Sequence, residues 1–148
     1  MEADAGRLPG GCDQHMWITP NWRGGAYVAV KRKPAAGTSD VPASTAEISL
    51  LYVSRWKTQE AAQRFLDVYE KSLSKRVTLI DRQPWTPSAC LSGSRCPGVK
   101  ATRLNSSEGP IFLELLPNSA LFIAQSFAEQ TANRLRQLVL AQAPEIKP

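Results

Sequence analysis

The side chains able to do chemistry are few and far apart. His15 is the single histidine of the 148-residue chain, so a Ser-His-Asp or Cys-His system would have to recruit it from a Gly- and Pro-containing start. No H-E-x-x-H, G-x-S-x-G, P-loop or dinucleotide fingerprint occurs. Asp81 and Glu114 fall on predicted strands, where a carboxylate either lines a cleft or occupies an exposed strand face. Cys12 and His15 have tolerable zinc-ligand spacing, but Cys90 and Cys96 lie far along the chain and stand wider apart than a usual finger pair. No catalytic residue, metal-ligand set or cofactor is therefore assigned. Gly10-Gly11 and Gly24-Gly25 are isolated pairs that read as backbone relief rather than phosphate cradles.

Cys90 and Cys96 bracket Leu91-Ser92-Gly93-Ser94-Arg95 and form a candidate disulfide. Closing so short a ring stabilises by about 2 to 2.5 kcal/mol in the chain-entropy model, where the geometry permits it. An oxidising compartment favours that bond, and the alternative is three reduced thiols. Trp56, Phe65 and Tyr69 have the spacing either of a core or of the floor of a groove for a small apolar ligand or lipid. Lys31-Arg32-Lys33 is a run of three bases and a candidate basic patch.

Charge bears on that patch. Residues 23 to 103 carry 14 basic and 6 acidic side chains, net +8, while the remainder carries 4 and 7, net −3. The bases are otherwise scattered, without the dense stripe and stacking aromatics of a nucleic-acid site, which favours a solvated surface.

The elements that would position these residues follow from periodicity. Residues 1–24 read as an irregular lead, 25–143 as one domain and 144–148 as a tail. Ala26 to Lys33 alternates as a strand, and a small-residue loop follows from Pro34 to Ala46. Glu47 to Trp56 is the clearest strand, with Ile48, Leu50, Tyr52 and Trp56 on one face, Leu51 and Val53 on the other, and an expected central position. Thr58 offers an N-cap to an amphipathic helix running to about Ser74. Strands are expected near Val77 to Arg82, Val99 to Leu104, Ile111 to Leu116 and Ala120 to Gln125, the last three joined by turns at Ser106-Ser107-Glu108-Gly109 and Pro117-Asn118. Ser126 with Glu129 has the form of a capping box, opening a helix to about Gln142 that buries Ala128, Ala132, Leu135, Leu138 and Val139. The expected fold is α+β, an antiparallel sheet of about five to six strands with two helices packed on one face, in the order β-β-α-β-β-β-β-α.

Composition agrees with one domain: 43% hydrophobic and 21% charged residues, in a chain long enough to bury a core without metals or a disulfide lattice. No stretch approaches the roughly 18 to 20 apolar residues that span a bilayer. Met1 to Gln14 lacks a signal-peptide apolar segment, so the chain either stays inside the cell or derives from a longer exported precursor; an oxidised Cys90–Cys96 pair would favour export.

Three segments carry a resemblance: Asn21-Trp22-Arg23-Gly24-Gly25-Ala26-Tyr27, Ser54-Arg55-Trp56-Lys57-Thr58-Gln59-Glu60-Ala61-Ala62-Gln63-Arg64-Phe65, and the Gly109-to-Ala128 hairpin. Over about residues 21 to 140 the chain is similar to the C-terminal domain of a family of large bacterial proteins resembling zinc metallopeptidases. That family typically reads G-W-G-G-D, then W-D-S or W-D-T before an amphipathic helix. Ala26 and Lys57 stand where the family commonly has Asp. The family's zinc helix lies upstream of this domain, so no catalytic residue transfers. The resemblance implies an accessory module that shields, positions or recognises something for a neighbouring domain. In element order alone the chain is also similar to small α+β modules of the photosystem-associated PsbP class. The expected role is a non-catalytic interaction domain acting with a protein partner or neighbouring domain. Small apolar-ligand or lipid binding is the alternative, and basic-surface nucleic-acid binding the second.

Overall fold

The computed structural model describes residues 18–31, 47–87 and 100–142. A helical turn, α1 (18–21), leads into β1 (Trp22–Lys31), β2 (Ile48–Trp56), α2 (Gln59–Leu73), β3 (Leu79–Pro84), β4 (Lys100–Ser106), β5 (Gly109–Leu116), β6 (Ala120–Gln125) and α3 (Glu129–Gln142). The strands form one six-stranded antiparallel sheet in the order β1-β2-β6-β5-β4-β3. The expected α+β class and element order are those of the structure.

Alternation explains the layering. Along β5, Ile111, Leu113 and Leu115 join a core with Ala61, Ala62, Leu66 and Leu73 of α2. Their neighbours Phe112 and Leu116 join a second core with Ala132 of α3 and with Trp85. Strand side chains alternate between faces, so the two helices cover opposite sides of the sheet. This corrects the expectation of both helices on one face. β6 divides in the same way, Leu121 and Ile123 toward α2, Phe122 and Ala124 toward α3. The middle of the sheet is thus β5 and β6, and β2 lies one strand in from the edge instead of at the centre.

Local chemistry sets the element ends, with one reversal. Thr58 caps α2 as expected, its hydroxyl accepting from the Ala61 N–H at 3.1 Å. Ser126 does not cap α3. Its φ is +62°, its N–H donates to the Pro110 carbonyl at 2.8 Å, its hydroxyl donates to the Glu108 carbonyl at 2.7 Å, and its carbonyl accepts from the Ser49 hydroxyl. With Ser126 committed to the sheet, α3 begins at Glu129, whose carboxylate receives Arg103 at 2.9 Å.

β1 opens at Trp22, inside the stretch expected to be irregular lead. A bulge separates Trp22 from Gly24, where φ is +136°, a conformation suited to glycine. β3 begins two residues later than expected because Val77 turns inward and is buried, its N–H bonded to the Leu73 carbonyl at the end of α2.

Candidate functional site

Trp56, Phe65 and Tyr69 come together, as an aromatic wall of the α2-side core. Trp56 is buried and donates its indole N–H to the Ser54 hydroxyl at 2.9 Å. Its ring lies 4.7 Å from that of Phe65, which in turn lies 6.3 Å from both Tyr52 and Tyr69. These tilted contacts join the rings into one cluster, with Trp56 buried and Phe65 and Tyr69 half-buried against it. The Tyr69 hydroxyl is buried, and burial raises its pKa above the ordinary phenol value, with Arg76 acting in the opposite direction.

The two singled-out carboxylates part company. Glu114 points into the α3-side core fully buried, gripped in a bidentate pair by the equally buried Arg136 of α3; one arm, Nη2 to Oε1, measures 2.7 Å. A carboxylate sealed off from solvent and held by two guanidinium nitrogens fixes a helix on a sheet and offers no access to a substrate. Asp81 lies on the exposed edge strand β3, where it accepts from Asn105 and, at 2.9 Å, from Gln83. Among the described residues no group of three or more His, Cys, Asp and Glu side chains is placed to hold a metal ion. No helix among them is long and apolar enough to cross a membrane.

Lys31 ends β1 and is exposed. Arg32, Lys33, Cys90 and Cys96 lie outside the described residues, so the basic run and the candidate disulfide are not characterised beyond Lys31.

The feature that sequence reading missed is the edge that Lys31 belongs to. Among the described residues β1 pairs with β2 alone, and its other edge is the outer margin of the sheet they form. Tyr27 is 74% exposed, Val28 54%, Trp22 47% and Val30 46%. Register places Tyr27 opposite Tyr52 and Val28 opposite Leu51, so the exposed apolar groups occupy both faces of the strand. The two strands approach closely here: a Cβ at Gly25 would stand 3.0 Å from the Val53 carbonyl oxygen. The opposite margin of the sheet is protected differently. β3 is short, carries Asp81, Arg82 and Pro84, contains a bulge, and is tied to α2 by Arg82–Glu70 at 2.7 Å. Such charges, prolines and bulges are how proteins blunt a sheet edge against pairing; β1 has a bulge and Arg23 at its start and Lys31 at its end, but none of these from Gly25 to Val30. The available signal was the β-branched and aromatic run Tyr27-Val28-Ala29-Val30, but alternation alone does not separate a covered strand from an edge strand.

Comparison with family models, with curated proteins and with solved structures finds no match.

Proposed function

We propose that this chain is a non-catalytic interaction module that engages a protein partner through the free edge of β1. The observation that carries the reading is a ten-residue outer strand with exposed Trp22, Tyr27, Val28 and Val30, facing an opposite edge that is blunted. A row of N–H and C=O groups unpaired among the described residues, with apolar side chains on both faces, is what strand addition uses, the backbone giving affinity and alternate side chains giving specificity. An accessory role beside a neighbouring domain, as the family resemblance implies, is compatible with this use of the edge.

Selection from a displayed library of random dodecapeptides tests the reading. Peptides enriched on the native chain should lose at least about tenfold in affinity for Val28→Lys/Val30→Glu, which places charges along the edge while leaving the covered core intact. Circular dichroism melting of the two proteins should coincide within a few degrees. Failure to enrich any peptide, or enriched peptides that bind the variant equally well, overturns the reading.

A further inference from the structure

We infer that the β1 edge takes an acidic extended segment: a partner strand of alternating apolar residues flanked by carboxylates. This rests on the interaction reading above and specifies its occupant. Residues 14–39 contain no Asp or Glu, and neither do 48–59 or 117–128, so β1, β2 and β6 together form half of the sheet without a carboxylate. The bases of that half are Arg23 near one end of β1, Lys31 at the other, Arg55 in β2 and Lys57 just after it. The three ion pairs described above, Arg82–Glu70, Arg103–Glu129 and Arg136–Glu114, all join residues of β3, β4, β5 and the two long helices, away from this margin. Arg23 and Lys31 are eight residues apart, about 26 Å along a strand, with the exposed Tyr27, Val28 and Val30 between them.

That layout selects among occupants. A second copy pairing antiparallel through β1 about a residue near Tyr27 would set Arg23 of each chain opposite Lys31 of the other, and no register supplies a compensating acid from the strands. Like charges directly opposed disfavour the self-pair. A nucleic-acid strand would satisfy the bases but leave Val28 and Val30 against a polar backbone, with only Tyr27 and Trp22 as stacking surfaces. An acidic strand satisfies the backbone edge, the apolar middle and both charged ends at once. Because the end pairs are solvent-exposed, they act chiefly on specificity and association rate and weaken with salt.

Three synthetic nonapeptides test this by fluorescence anisotropy. Each has a five-residue Val/Thr alternating centre, flanked on both sides by a pair of Asp, Ser or Lys residues. At low salt the Asp-flanked peptide should bind roughly tenfold more tightly than the Lys-flanked one, with the Ser-flanked peptide between, and the spread should narrow as salt is raised. Arg23→Glu/Lys31→Glu should invert the order, and Val28→Lys/Val30→Glu should abolish binding of all three. Equal affinities overturn the acidic preference while the edge reading stands. No binding by any of the three, beside library peptides that do bind through β1, also removes the acidic preference alone. Concentration-dependent dimerisation in sedimentation that Val28→Lys/Val30→Glu abolishes overturns the proposal in favour of a second copy. Tighter binding of a single-stranded oligothymidylate that competes at the same edge overturns it in favour of nucleic acid.

Discussion

Tyr69 carries a hydroxyl into a wall otherwise built from Trp56, Phe65 and Tyr52, and that choice has a consequence at alkaline pH. Burial holds the proton on the folded-state phenol beyond the ordinary value of 10.0. Below that pH both states are protonated and the group contributes no pH dependence. As pH rises through it, the unfolded chain releases its proton while the folded chain keeps it, so stability is lost progressively toward the folded-state pKa. Urea unfolding from pH 9 to about 11 should therefore show a steeper decline in the native chain than in Tyr69→Phe. Parallel declines would mean that burial of this hydroxyl does not couple to folding. Gln59 shows a different residue-scale device: its side-chain oxygen accepts the Ser119 N–H at 2.9 Å while its nitrogen donates to the Leu116 carbonyl at 3.2 Å. The left-handed Asn118 and Ser119 of the β5–β6 turn are thereby fastened to the start of α2. Thr58 was legible as a cap because capping is local. The partners of Gln59 were not, because they lie about 60 residues away.

At the scale of elements, the α3 helix is phased by one pair. Its stripe was expected to include Ala128 and Leu138, yet Ala128 is exposed and Leu138 is 58% exposed, while Ala132 and Arg136 are buried with Leu135, Val139 and Leu140 beside them. Both stripes have helical period, so periodicity permits either, and Glu114 on β5 decides between them by drawing Arg136 inward. Removing one partner takes away the buried counter-charge of the other. Arg136→Met or Glu114→Leu alone should each lose about 3–5 kcal/mol in urea unfolding, whereas the double variant should return to within about 1 kcal/mol of the native chain or exceed it. Single losses below about 1 kcal/mol would show that the pair does not set the helix. The unformed capping box at Ser126 has a similar cause, since three hydrogen bonds, with β2, with β5 and with the β4–β5 turn, outweigh a local S-x-x-E signature. Trp85, just past the end of β3, is likewise held by tertiary contacts, its ring 4.9 Å from Phe112 and 6.2 Å from Phe122.

Across the whole molecule, order is graded from one margin of the sheet inward. β5 and β6 are buried on both faces between two helices, whereas β1 is paired on one side and largely exposed. Amide hydrogen exchange should accordingly find β5 and β6 amides opening only with global unfolding and β1 amides exchanging at least about 100-fold faster. Uniform protection across the sheet would contradict a β1 held by the β2 ladder alone. A margin that opens cheaply and exposes apolar groups is also the margin on which a partner strand gains most. The sequence by itself determined the α+β class, the element order, the two-sided apolar strands and the capped α2, because these depend on periodicity and on contacts a few residues apart. Only the tertiary structure decided that the helices take opposite faces, since a strand apolar on both sides reads the same whichever helix covers which. It alone joined Glu114 to Arg136, 22 residues apart, and left β1 at an open edge. Those outcomes depend on which strands become neighbours, and strand order is set by long-range pairing that no local pattern encodes.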